Sequence, residues 1–217
     1  MRKILFFIIT LILLGCVSKT NTSNTNNIVN FRKTFFPGHY PGMWANFYAF
    51  AVLKKDGSVV IWGNSAYGGD SRGVADKLKS GVKAIYSNRY AFAALKEDGS
   101  VVTWGNSMYG GDRGNVAAKL KSGVKAIYSN EGAFAALKED GSVVTWGDSR
   151  SGGDSSSVAA KLSSGVKAIY STSDAFAALK KDGSVVTWGN SDDGGDSSSV
   201  ADKLNNVVGF SPSFTWQ

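Results

Sequence analysis

The sequence predicts an all-β repeat protein, and three features carry the prediction. Trp62, Trp104, Trp146 and Trp188 recur at an unbroken spacing of 42 residues. Asp-Gly pairs keep the same spacing, at Asp56-Gly57, Asp98-Gly99, Asp140-Gly141 and Asp182-Gly183. The segments flanking each pair are apolar at almost every position, as in AFAALKEDGSVVTWG from Ala133 to Gly147. A fixed period of this size marks stacked supersecondary units that bury their apolar surface against neighbours.

Asp-Gly is a preferred pair for a two-residue hairpin turn, because both central positions need positive φ. With Asp140-Gly141 as that turn, Leu137 falls opposite Val144 and Ala135 opposite Trp146, a small residue beneath a large indole. The other face carries Phe134, Ala136, Val143 and Thr145. A hairpin with one side in water would alternate apolar with polar, and this one does not. Each hairpin is therefore expected to lie between two others. Trp62, Trp104, Trp146 and Trp188, set against Ala51, Ala93, Ala135 and Ala177, are expected to be structural core residues.

Residues 1–15 read as a signal peptide, with Arg2 and Lys3, an apolar run from Ile4 to Leu14, and Gly15. The run is short for a membrane span. Leu13-Leu14-Gly15-Cys16 resembles the lipobox of bacterial lipoproteins, which implies lipidation of Cys16, the only cysteine. Residues 16–30, rich in Asn and Thr, read as a lipid-anchored flexible tether. Residues 31–48 are aromatic and broken by Pro37 and Pro41. On the repeat frame Gly42 to Phe47 takes the place of a degenerate first strand. Residues 49–217 then form a four-unit repeat domain.

The full unit is read as strand A, such as Val124 to Ser129, then the hairpin strands B and C, then a loop ending Gly-Gly-Asp. A short helical turn follows, such as Asp154 to Leu162, with Asp or Ser as N-cap, Val158 and Leu162 on one face, and Gly165 at its end. Val207, Val208, Gly209 and Phe210 form a truncated final strand A.

Asp-Gly-Ser-Val-Val-x-Trp-Gly, matched at Asp56 to Gly63 and in each later copy, is similar to the repeat of the regulator of chromosome condensation family. The similarity runs from about Gly42 to Phe210. It implies a β-propeller-like fold of four 42-residue units. The loop here reads Gly-Gly-Asp where the family has Gly-Gln-Leu-Gly, the histidine that often opens strand B is absent, and there are fewer units than in the best-known members. Whether the ring closes or stays an open arc is left undecided by the sequence. An open arc would bare apolar faces at both ends and lead chains to self-associate unless terminal segments cap them.

Composition narrows the function. His39 is the single histidine and lies outside the repeats, so no metal site or nucleophile–base pair is indicated. Asp70, Asp112, Asp154 and Asp196 in the Gly-Gly-Asp loops read as turn and cap residues. Asp192, Asp193 and Asp196 lack the spacing of a calcium loop. No cofactor and no enzymatic activity are expected, since near-identical units give no unique pair of carboxylates in a cleft. The guanine-nucleotide exchange of the family's nuclear members is not carried over, because an export signal separates the chain from cytosolic GTPases. The net charge of +7, or +5 without Arg2 and Lys3, reads as a solvated surface, and nucleic acid is not an expected partner.

The copies themselves point to a candidate site. Two windows vary where the rest of the unit repeats almost letter for letter. One precedes strand B, at Asn46-Phe47-Tyr48, Asn88-Arg89-Tyr90, Asn130-Glu131-Gly132 and Thr172-Ser173-Asp174. The other follows strand C, at Ala66-Tyr67, Met108-Tyr109, Arg150-Ser151 and Asp192-Asp193. In an up-down-up unit both windows lie at the end away from the Asp-Gly turn, on one rim. The first two units place there Phe47, Tyr48, Tyr67, Arg72, Arg89, Tyr90, Met108, Tyr109 and Arg113, residue types that dominate interface hot spots. The expected role is a cell-envelope lipoprotein, held on a membrane through Cys16 and facing the periplasm or the exterior, that binds another protein through this rim. The alternative is a carbohydrate-binding or adhesin module that uses the same aromatics on a glycan.

Overall fold

The computed structural model describes residues 45–211. The signal peptide, the tether, Cys16 and the Gly42–Trp44 part of the first-strand region lie outside the described residues. Unit 1 holds β1 (Ala49–Leu53) and β2 (Val59–Gly63), and unit 2 holds β3 (Val82–Ser87), β4 (Ala91–Lys96) and β5 (Val101–Gly105). Unit 3 holds β6 (Val124–Ser129), β7 (Ala133–Lys138) and β8 (Val143–Gly147), and unit 4 holds β9 (Val166–Ser171), β10 (Ala175–Lys180) and β11 (Val185–Gly189). Units 2, 3 and 4 are antiparallel sheets with the B strand in the middle, whereas unit 1 is the β1–β2 pair alone. The fold is thus an all-β, propeller-like repeat. No first strand forms in residues 45–48, and among the described residues β1 pairs only with β2.

The hairpin register differs by one residue from the sequence expectation. Leu137 faces Val143, Ala135 faces Thr145, and Phe134 faces Trp146. The cause is the turn. Lys138 N–H donates to the Ser142 carbonyl (2.9 Å) and Gly141 N–H to the Lys138 carbonyl (3.0 Å), so Glu139, Asp140 and Gly141 together make a three-residue loop with glycine in the left-handed region at φ 79°. The indole therefore stacks on Phe134, at a centroid distance of 5.2 Å, rather than on an alanine. The turn is clamped by Asp140 Oδ1, which accepts from the Ser142 hydroxyl (2.6 Å) and backbone N–H (2.9 Å), and these bonds hold its carboxyl below the usual range.

The hairpins of units 2 and 3 lie between two neighbours, whereas among the described residues those of units 1 and 4 have a unit on one face only. Phe134, Ala136, Val144 and Trp146 of unit 3 pack with Ala91, Ala93 and Leu95 of unit 2. The opposite face, Ala133, Ala135 and Leu137, packs with Phe176, Ala178, Val186 and Trp188 of unit 4. The small residues face the neighbour's bulky ones, and this alternation of small and large side chains is what lets the sheets interlock. A directional lock accompanies the packing: Trp104, Trp146 and Trp188 donate Nε1–H to the carbonyls of Gly68, Gly110 and Gly152 in the preceding unit, at 3.1, 3.1 and 3.0 Å. Gly110, at φ 93°, would place a Cβ 2.8 Å from a Phe134 ring carbon, so the first glycine of Gly-Gly-Asp has a steric reason.

Trp104, Trp146 and Trp188 are core residues, exposed by 4%, 4% and 3%, but Trp62 is 49% exposed, since among the described residues no unit packs over it. The helical turns are tight 3-10 turns, Ala75–Leu78, Gly114–Val116, Ser156–Val158 and Ser198–Lys203. They deliver buried Leu78, Leu120 and Leu162 to the sheet edges. The final strand A is not assigned as a strand, yet Val207 N–H donates to the Gly183 carbonyl as Val166 does to Gly141 and Val124 to Gly99. Asn206, at φ 57°, stands there in the place of Gly165. Among the described residues no helix is long and apolar enough to cross a membrane.

Candidate functional site

The two variable windows of each unit meet at one end of the sheet, and one side chain joins them, fully buried in units 2 and 3. Asn88, which is fully buried, donates Nδ2–H to the Tyr109 carbonyl (2.6 Å) while its Oδ1 accepts from Tyr90 N–H (3.0 Å) and Ala91 N–H (2.8 Å). Asn46 makes the same three bonds to Tyr67, Tyr48 and Ala49, and Asn130 to Ser151, Gly132 and Ala133. Unit 4 uses Thr172, whose hydroxyl bonds the Asp193 carbonyl at 2.8 Å and accepts from Ala175 N–H at 3.1 Å. These clamps hold the candidate site and were missed in the sequence, although the repeat of Asn at the head of three windows was a signal for them.

The rim is also laced from unit to unit along the backbone. Phe47 N–H donates to the Arg89 carbonyl (3.3 Å), Arg89 N–H to the Glu131 carbonyl (3.3 Å), and Glu131 N–H to the Ser173 carbonyl (2.9 Å). The loop tips are therefore held in a fixed order, and their side chains form one surface.

At units 1 and 2 that surface is aromatic. Tyr48 stacks on Tyr67 at 4.4 Å, Tyr90 packs on Tyr109 at 4.2 Å, and Tyr90 bridges the two pairs, 6.0 Å from Tyr48 and 5.7 Å from Tyr67. The Arg89 guanidinium lies 4.5 Å from the Phe47 ring centre and ion-pairs through Nη1 with Glu131. That partner raises the guanidinium's pKa, and burial raises the Tyr90 hydroxyl's. Phe47 and Tyr48 remain 60% and 43% exposed. Toward units 3 and 4 the rim becomes polar, with Arg150 paired to Asp148 and the Ser151 hydroxyl donating to Asp174 at 2.5 Å.

Six of the sequence-derived rim residues, Phe47, Tyr48, Tyr67, Arg89, Tyr90 and Tyr109, thus come together. Met108 is exposed beside Tyr109 in the same 3-10 turn, Ser107–Tyr109. Arg72 and Arg113 do not join them. Arg72 folds onto Asp70 (2.6 Å), and Arg113 donates to the Val101 carbonyl (2.5 Å) at the start of β5, toward the Asp-Gly end. Asp70, Asp112, Asp154 and Asp196 each accept from the backbone N–H two residues on, as turn residues do. Among the described residues no group of three or more acids, histidines or cysteines converges.

No family model and no curated protein matches the chain. Several solved structures are similar to it at low identity. Prp20p of Saccharomyces cerevisiae shares 18% identity with a TM-score of 0.42, over 70% of this chain and 47% of that one. The CRINKLY WD40 ectodomain of the Arabidopsis thaliana receptor kinase ACR4 shares 17% with a TM-score of 0.43, over 67% and 49%. Human WBSCR16 shares 18% with a TM-score of 0.42, over 69% and 48%. The chain spans about half the length of each.

Proposed function

We propose that this protein is a bacterial cell-envelope lipoprotein whose repeat domain binds another protein through the rim of units 1 and 2. The observation that carries the reading is the aromatic surface of Tyr48, Tyr67, Tyr90 and Tyr109 with Phe47 and Arg89, seated on half-buried Asn46 and buried Asn88. Large rigid side chains bury much area on contact at little entropic cost, and clamped loops do not have to be ordered first. A polar glycan is the weaker reading, because the tyrosines stack on one another and so occupy the ring faces that a sugar would need. Attachment through a lipid on Cys16 would hold this rim at a membrane surface.

The reading is tested with the full chain immobilised and exposed to envelope extract. Alanine at Tyr67, Arg89, Tyr90 and Tyr109 together is expected to weaken capture of a specific protein by about 100-fold or more, as loss of two hot-spot residues would. The proposal fails if the quadruple variant, folded by circular dichroism, captures that protein as well as the parent does. Binding on a glycan array with no captured protein would favour the adhesin reading instead.

A further inference from the structure

The two ends of the repeat array are complementary halves of the interface that already recurs inside it. At the unit 1 end, Phe50, Val52, Val60 and Trp62 are exposed by 64%, 45%, 49% and 49%, while the equivalent Phe92, Ala94, Val102 and Trp104 are exposed by 4%, 0%, 4% and 4%. At the unit 4 end, a Cβ on Gly194 would meet nothing within 4 Å, whereas one on the equivalent Gly152 would lie 2.9 Å from Phe176 and 3.1 Å from Trp188. One end thus presents the ring pair and the other the glycine loop that receives it.

Two backbone features match in the same direction. The rim ladder runs from Phe47 through Arg89 and Glu131 to Ser173, and its ends, the Phe47 carbonyl and the Ser173 N–H, have no partner among the described residues. Among the described residues β1 pairs only with β2 and has no strand A beside it, while Val207 to Phe210 starts a strand A with no hairpin joined to it. No hydrogen bond links unit 1 to unit 4 among the described residues.

We propose that a second copy of this chain occupies each end, head to tail, so that two chains close an eight-unit ring. Trp62 of one copy donates to the Gly194 carbonyl of the other, as Trp188 does to Gly152 within the chain. The ladder passes from Ser173 N–H to the Phe47 carbonyl, and the 207–210 segment pairs with β1 of the neighbour. Head-to-tail contacts make a ring when their rotation closes, and closed propellers hold about four to eight blades, so two copies of four units reach the upper limit and three exceed it. The packing surface is the one that the chain already uses three times between its own units.

The test is sedimentation equilibrium of the full chain in density-matched detergent, at micromolar concentration. A two-chain mass is expected for the parent. Phe50→Asp with Trp62→Asp on one end, and Gly194→Val on the other, should each shift the population to one chain, with affinity lowered by more than 100-fold. Mixing the two variants should restore a two-chain species, because each keeps one intact end. As Gly194 sits at φ 96°, its variant is checked by thermal melting. A measurement independent of that variant is hydroxyl-radical footprinting of the parent, in which Trp62 should become as protected as Trp104 when two chains associate. A one-chain parent, including one with Trp62 covered by its own termini, would overturn the proposal. So would larger assemblies, or a two-chain mass that the Phe50 and Trp62 changes leave intact.

Discussion

Trp146→Ala is expected to lower the stability of the full chain by about 4 kcal/mol, near the top of the range for single core truncations. Three losses combine at this site. The ring is 4% exposed, so its whole apolar area is withdrawn from the contact between units 2 and 3. The stacking partner Phe134 loses its neighbour, and the Gly110 carbonyl loses its only indole donor. Little can collapse into the gap, because Gly110 and the alanines around it have no side chain to extend. Trp62→Ala removes the same chemistry from a half-exposed end and should cost less than about 1.5 kcal/mol in the separated chain. Urea unfolding followed by circular dichroism gives both values, and equal losses at the two positions would mean that the units do not interlock as described.

Asn88→Ala is expected to destabilise by about 3 kcal/mol, a large effect for a polar residue. The side chain is fully buried and makes three hydrogen bonds, so truncation leaves the Tyr109 carbonyl and the Ala91 N–H without a partner in a dry site. It also cuts the strut between the windows carrying Tyr90 and Tyr109, so rim binding should fall more than stability alone explains. Asn88→Thr should recover part of the loss, since Thr172 performs the joining in unit 4 with its hydroxyl. A cost below about 0.5 kcal/mol in the same unfolding assay would show that water replaces the amide and that the rim has no internal strut.

The sequence made the repeat legible because the hairpin and its Asp-Gly turn recur every 42 residues in all four copies. Both faces of the hairpins were apolar, and the structure puts a unit on each face of β7 and β8. The register was misjudged by one position because Asp140-Gly141 was taken as the whole turn, whereas Glu139 also belongs to the loop. A single residue in a loop exchanges the facing partner, and so Phe134 rather than Ala135 lies across from Trp146. The exposure of Trp62 escaped because similar letters hide position in the array: Trp62 and Trp146 both lie in a DGSVVxWG segment, but among the described residues only Trp146 has a unit before it.

The rim was readable from the divergence between copies, and the tyrosines converge because both windows sit at the same strand ends. Arg72 and Arg113 were grouped with them by nearness in sequence. The chain after Gly-Gly-Asp has already left the rim for the 3-10 turn, which is why Arg113 reaches the start of β5 instead. The asparagine clamps were overlooked for the opposite reason: they stand inside the variable windows but are their constant part.

The central claim is that a partner meets this protein on the tyrosine rim and not elsewhere, and site-specific photocrosslinking tests it most directly. Benzoylphenylalanine replaces Tyr90, Tyr109 or Glu139, the last being an exposed residue of the Asp-Gly loop at the far end of the sheet. Crosslinks to a second copy of the chain are identified by mass and scored separately. The same envelope protein should be captured from Tyr90 and Tyr109 and not from Glu139. Capture from Glu139 at equal yield, or from neither tyrosine, would contradict the account.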